Sequence, residues 1–202
     1  TLAIEFPYND KRVNVMVSDV GDLAEFAGEK LTSADCKSIA GSDCVALVNW
    51  SSNKKGNELA QLVFALPRRN RRLNFLDPAD LTGAEDRVKV LVQSVIRKGL
   101  LDVLSVNENE ARLLSKLLPI SKLPLDYSAG EIKRVAMSLH KTLSTIIDIH
   151  TPLGCASATD GDVFWADSFG KVEGMVTGAG DAWDAGDIVG HLLKTSPDKR
   201  LQ

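Results

Sequence analysis

From Cys44 onward, short apolar runs alternate with segments of helical period. This alternation is the tightest constraint on how the chain can fold. Cys44-Val45-Ala46-Leu47-Val48 is a compact apolar run, the pattern of a strand buried on both faces. Asn57 to Leu66 is helical in period, and Leu73-Asn74-Phe75-Leu76 is a short strand stopped by Asp77-Pro78. Glu85 to Arg97 carries Val88, Leu91, Val92, Val95 and Ile96 at the spacing of an amphipathic helix. Leu101 to Val106 is strand-like and Glu108 to Leu118 helical. Ser128 to Leu143 is a longer helix, with Ser128 as cap and Glu131 three residues on. Thr145 to Ile149 is strand-like, and Asp160-Gly161 sits at the tip of a hairpin running from Ala158 to Trp165. Ala182 to Leu193 is the last clear helix. Strands and helices in this order predict βαβ units and an α/β fold, with a mainly parallel, doubly wound sheet flanked by helices.

The first residues follow another rule. Leu2, Ile4 and Phe6 alternate with Ala3 and Glu5, and Val13, Val15 and Val17 alternate with Asn14 and Met16. Around the turn-rich Pro7-Tyr8-Asn9-Asp10 this predicts two antiparallel strands with one buried face. Ser33 is expected to cap a short helix through Ile39. The composition boundary lies near Ser18 to Gly21, and there is no internal repeat.

Composition narrows the function. A net charge of −3 gives no support for nucleic-acid binding. The densest basic run, Arg68-Arg69-Asn70-Arg71-Arg72, reads as a solvated loop. No apolar run reaches the roughly 18 residues that span a bilayer, so no membrane association is expected. Cys36, Cys44 and Cys155 have no CxxC spacing, which fits a reducing, cytoplasmic setting. His140, His150 and His191 are too far apart in sequence for a His/Cys metal motif. Trp50, Trp165 and Trp183 read as packing residues. His150 reads either as a satisfied structural histidine or as a nucleotide contact, and Asp77 either lines a cleft or only ends a strand.

The chemistry concentrates at Thr177-Gly178-Ala179-Gly180-Asp181. The first amides of a helix have no intrahelical partner, and small residues leave those donors open beside the positive end of the helix dipole. That makes an anion site. An aspartate there is out of place if the site only holds phosphate. It makes sense as a base on a substrate hydroxyl, with the amides stabilising charge on a transferred phosphoryl group. The plain alternative is a glycine turn followed by an aspartate at a helix start. Asn107-Glu108-Asn109-Glu110 poses a similar choice. Asn107 and Glu110 can form a capping box, or they can present an amide and a carboxylate for Mg²⁺ where open α/β sheets bind ligands.

Together these stretches resemble the PfkB, or ribokinase-like, carbohydrate kinase family. Its C-terminal signature is matched by Thr177 to Gly186, its N-x-x-E motif by Asn107 and Glu110, and its strand ending in Asp-Pro by Leu76-Asp77-Pro78. Its nucleotide-contacting stretch is partly matched by Thr151-Pro152-Leu153-Gly154-Cys155-Ala156. The resemblance covers most of the chain. It implies an ATP-dependent phosphotransferase acting on a hydroxyl of a sugar, sugar acid or nucleoside. Asp181 would be the general base, and the amides of Gly178, Ala179 and Gly180 the anion hole. Asn107 and Glu110 would position Mg²⁺, with Glu110 as metal residue, and Thr151, Gly154 and Thr177 would line the nucleotide site. It also implies that residues 1–20 are strands of a small β lid and residues 21–202 the nucleotide-binding core. A homodimer through the lid would follow.

Departures from the family pattern carry their own expectations. Met175-Val176 replaces the usual Asp-Thr in a region that helps hold a monovalent cation, which argues against potassium activation. Ala156 stands at a usual glycine, and Asp184 and Asp187 are expected to face solvent. The family's N-terminal strand and Gly-Gly sugar motif have no counterpart, nor do the helices that follow the signature. A fragment of a longer kinase is therefore expected. The acceptor, and ATP rather than ADP as donor, stay open. A non-catalytic nucleotide- or sugar-binding member of the fold is the alternative. A dinucleotide-dependent oxidoreductase is disfavoured, because no GxGxxG follows the first strand.

Overall fold

The computed structural model describes residues 2–8, 11–68, 72–170 and 177–202. Asn9-Asp10, Arg69-Asn70-Arg71 and Met175-Val176 lie outside the described residues. The elements are β1 (Leu2–Tyr8), β2 (Lys11–Val17), α1 (Ser33–Gly41), β3 (Cys44–Leu47), α2 (Gly56–Ala65), β4 (Leu73–Leu76), α3 (Glu85–Leu91), β5 (Val103–Asn107), α4 (Glu108–Leu117), α5 (Ala129–Leu143), β6 (Ile146–Thr151), β7 (Gly154–Thr159), β8 (Asp162–Asp167), α6 (Ala179–Leu192) and α7 (Pro197–Arg200). They form a six-stranded sheet in the order β3-β4-β5-β6-β7-β8 and a separate two-stranded ribbon, β1-β2. The pairs β3-β4, β4-β5 and β5-β6 are parallel, and the last two pairs are antiparallel.

Side-chain alternation along the strands divides the molecule into layers. Leu76, Leu104, Val106, Ile147, Ile149, Ala156 and Ala158 share one core with Phe64 of α2, Val88 of α3, Leu114 of α4 and Leu139 of α5. Their neighbours Ser105, Asp148 and Ser157 are also fully buried but face the other way. Ser105 bonds Asp184 of α6, and Asp148 bonds His191 of α6 and Arg200 of α7. Helices therefore cover both faces of the sheet, as expected. One face is a hydrocarbon core, and the other is stitched by charge.

Local chemistry explains most element ends. Ser128 and Glu131 form the expected capping box, with Ser128 N–H donating to Glu131 Oε2 at 2.8 Å. The Asp160-Gly161 turn has φ of 49° and 89°, the positive values that a two-residue hairpin with the right twist requires. Helix α1 starts one residue earlier than the sequence suggests. Thr32, still extended at ψ 166°, is the N-cap and pairs with Asp35. Helix α3 does not run on to Arg97 as regular α-helix. Val92–Ile96 forms a π-helical turn, with Arg97 N–H bonding Val92 O at 2.9 Å.

Three expectations are overturned. Strand β3 is at the sheet edge, paired only with β4, and its residues are half-buried or exposed. The β1-β2 ribbon does carry an apolar face, since Leu2 opposes Val17, Ile4 opposes Val15 and Phe6 opposes Val13. That face is open, with Leu2 59% and Val17 61% exposed. The ribbon makes its contacts through its polar face instead. Finally, the basic run is not simply solvated. Arg72 is 1% exposed and donates to Asn74 Oδ1 and to the carbonyls of Ile39, Val63 and Leu66. Arg68 forks onto both carboxylate oxygens of Asp102. The guanidinium of Arg72 thereby satisfies backbone acceptors that would otherwise be buried unpaired.

Candidate functional site

Helix α6 begins at the carboxyl ends of the parallel strands. Gly178 is its N-cap at φ 88°, a left-handed conformation that a glycine adopts without penalty, and no side chain caps the helix. Open space surrounds the point where a Gly178 Cβ would stand. The first intrahelical bond is Ala182 N–H to Gly178 O at 3.0 Å, so the preceding amides remain available. Asp181 lies in this first turn, exposed, and makes no hydrogen bond among the described residues. The start of α6 thus has the geometry of an anion site with a carboxylate beside it.

The ribbon lies against this start. Glu5 Oε1 accepts from Thr177 N–H at 2.7 Å and from Thr177 Oγ1 at 2.5 Å, and Asn14 Nδ2 donates to Thr177 Oγ1 at 3.1 Å. Glu5 and Asn14 are cross-strand partners, so one face of the ribbon delivers both. Neither residue carries a signal in the sequence, where each occupies the polar position of an alternating strand. Thr177, expected at the nucleotide site, has its hydroxyl engaged by the ribbon.

Asn107 ends β5 and stands beside His150 of β6 in the parallel register. The capping box forms in full. Asn107 Oδ1 accepts from the amides of Asn109 and Glu110, and Glu110 accepts from Asn107 N–H at 2.8 Å and from Asn107 Nδ2 at 2.7 Å. Glu110 is 4% exposed. Burial pushes its carboxyl up to about 7, against its bond from Asn107, and Asp77, Asp80 and Glu108 add to the rise. Both Glu110 oxygens are engaged by Asn107, and the acidic groups around them add negative charge. Carboxylate and amide oxygens are the donor chemistry that a hard divalent cation such as Mg²⁺ takes.

Asp184 and Asp187 are corrected outright, because both are buried rather than solvent-facing. Asp184, 4% exposed, accepts from Ser105 Oγ at 2.7 Å. Burial and the adjoining Asp77 push its carboxyl up to about 8. Asp77 therefore does line the polar region. Burial and the Asp148 charge likewise push Asp187 up, while Arg200 pulls the other way. Asp148 is held below the ordinary carboxylate range. Burial opposes this, but the bond from His191 and the charge of Arg200 prevail. Asp148, Asp187 and His191 offer three ligand atoms within 4.8 Å of one another. Arg200 already sits on both carboxylates and on Ser157, so its guanidinium takes the place a metal would need.

A cleft of about 360 Å³ opens alongside. His150, Thr151, Gly154, Phe169, Trp183 and Gly186 are among its walls. Thr151 and Gly154 thus lie at a cavity next to the start of α6. Thr151 Oγ1 also closes its own turn, donating to Gly154 O at 2.8 Å and accepting from Leu153 N–H. Gly154 is a glycine for a packing reason. Its φ is 148°, and a Cβ would stand 2.3 Å from Ala166 O of β8. Trp183 was read as packing, but it faces the cleft and meets the His150 ring at 5.6 Å between centroids.

No family model and no curated protein matches this sequence. Solved structures do. Adenosine kinase from Sinorhizobium meliloti superposes with a TM-score of 0.68 at 15% identity, covering 89% of this chain and 50% of that one. Ribokinase from Cryptococcus neoformans, solved with ADP, gives 0.65 at 19% identity and covers 96% and 59%. An E. coli protein provisionally assigned as ribokinase II, solved with ATP and Mg²⁺, gives 0.64 at 17% identity and covers 98% and 60%. The architecture is that of an α/β protein with a mostly parallel sheet between helices. More narrowly, it is the ribokinase-like fold of the PfkB sugar and nucleoside kinases. The chain spans about half to three-fifths of the length of these structures. Among the described residues, no helix is long and apolar enough to cross a membrane.

Proposed function

We propose that this chain belongs to a kinase that moves a phosphoryl group from ATP to a hydroxyl of a sugar, sugar acid or nucleoside. One observation carries the reading. A glycine-started helix without a side-chain cap opens at the carboxyl ends of the parallel strands, with Asp181 in its first turn and unpaired among the described residues. The amides of Gly178, Ala179 and Gly180 bind the oxygens of the transferred group. Asp181 takes the proton of the acceptor hydroxyl as the hydroxyl oxygen attacks the γ-phosphorus of ATP, and the bond to the bridging oxygen breaks to release ADP. Asn107 and Glu110 would hold Mg²⁺, and the ion would supply charge neutralisation at the phosphates. Thr151 and Gly154 border the nucleotide. Residues 1–20 act as a lid whose polar face meets the anion site through Thr177, and residues 21–202 form the core. The open apolar face of the ribbon fits a lid-to-lid homodimer. The fold's neighbours support the kinase class. Solved complexes with ADP in one neighbour and with ATP and Mg²⁺ in another support the cofactors.

The test is nucleotide consumption with Mg·ATP across a panel of sugars, sugar acids and nucleosides, with Asp181→Asn run in parallel. Turnover with one acceptor, lost in the variant while nucleotide still binds, supports the assignment and names the substrate class. Turnover unchanged in Asp181→Asn would sink the mechanism. ATP binding without turnover on any acceptor would favour a non-catalytic binder.

A further inference from the structure

We propose that His150 is a phosphate-contacting residue of this site, donating its Nε2–H to a phosphoryl oxygen held at the start of α6. The proposal rests on the phosphotransferase reading above. His150 shares the α6-facing side of β6 with Asp148, two residues earlier. Its ring leans on Trp183 at 5.6 Å and 34°, which fixes the plane of the imidazole. Nε2 lies at the helix start, 3.7 Å from where a Cβ on Gly180 would stand, which is ordinary contact distance. That nitrogen is therefore a close neighbour of the first-turn amides. His150 also lines the cleft.

The other nitrogen fixes the proton. Nδ1 is enclosed and has no hydrogen-bond partner among the described residues. A buried N–H without an acceptor is a rarer and costlier arrangement than an acceptor left unfilled. The proton therefore belongs on Nε2, the nitrogen that reaches the site. Burial holds the imidazole of the free chain below its ordinary range, against the pull of Asp77. Asn107 is its neighbour in the register, so the backbone of His150 lies beside the Asn107–Glu110 pair. The competing use of the ring, stacking with Trp183 on a nucleotide base, would engage its face rather than Nε2.

The experiment is histidine side-chain NMR on the full chain, with His150→Phe to assign the resonance. The free chain should show the Nε2–H tautomer for His150. AMP-PNP and inorganic tripolyphosphate should both shift its Nε2, and adenosine should not. His150→Phe should weaken tripolyphosphate binding about tenfold, the value of one such hydrogen bond, and His150→Gln should restore most of it. A response to adenosine but not tripolyphosphate would overturn the proposal, as would unchanged tripolyphosphate affinity in His150→Phe. Tripolyphosphate binding through His150 with no turnover on any acceptor would count against the kinase reading and leave this contact standing. Turnover with His150→Phe behaving as wild type in every readout would do the reverse.

Discussion

Asp181 and Asp184 are one helical turn apart and have opposite fates. Asp181 is exposed and unpaired, while Asp184 points into the molecule onto Ser105. Asp181→Asn should keep the fold and nucleotide binding and cut turnover by roughly 10²–10⁴-fold or more, read in the coupled assay. Asp184 makes a stability prediction. Its folded pKa of about 8 lies above the ordinary aspartate value of 3.8. Its contribution to stability is therefore complete below about 3.8 and is lost as pH rises to about 8. One such group gives a slope of about 1.4 kcal/mol per pH unit within its window. Urea unfolding of the chain without Mg²⁺ or nucleotide should show midpoints falling from pH 5 to pH 8. Asp184→Asn, which carries no charge at any pH and can still accept from Ser105, should flatten that fall. A fall as steep in the variant would remove Asp184 as its source. Residue types and spacing make Asp181 legible in the sequence. The burial of Asp184 is not legible, because its partner Ser105 is 79 residues away.

At the scale of elements, glycines set where backbone approaches backbone. Gly154 admits β8 against the start of β7, and Gly190 on α6 admits the stem of Arg200, which a Cβ would meet at 2.5 Å. Gly154→Ala forces both a positive φ and an overlap with Ala166 O. It should destabilise the chain by about 2 kcal/mol or more, measured by urea unfolding. A smaller loss would mean that β8 shifts to make room. The same elements show how much local sequence decides. The Asn107–Glu110 and Ser128–Glu131 capping boxes and the Asp160-Gly161 turn form as their sequences require, because each is closed within three residues. Strand β3 misleads for the opposite reason. Its apolar run matches a central strand, but only the order of the sheet says that it is an edge.

At the scale of the whole molecule, the two faces of the sheet are held by different forces. The α2–α5 face is hydrocarbon, while the α6–α7 face depends on Arg200. The Arg200 side chain is 2% exposed and sits on Asp148 and Asp187. Arg200→Met should cost about 3–5 kcal/mol, since it leaves two buried carboxylates without their cation. Adding Asp187→Asn should recover part of that loss in thermal unfolding, and no recovery would mean that Arg200 acts through packing alone. By itself, the sequence determined the helix and strand periods, the caps, the hairpin turn and the open amides beside Asp181. Each of these arises from groups a few residues apart, whose geometry the backbone dictates. Only the tertiary structure decided that Arg72, Asp184, Asp187 and Arg200 are buried, that Glu5 and Asn14 reach Thr177, and that His150 faces Gly180. Apart from Arg72 with Asn74, the hydrogen bonds behind them join residues from 6 to 172 positions apart. Whether a polar side chain at such a range meets solvent or a partner depends on which face of which element packs against it.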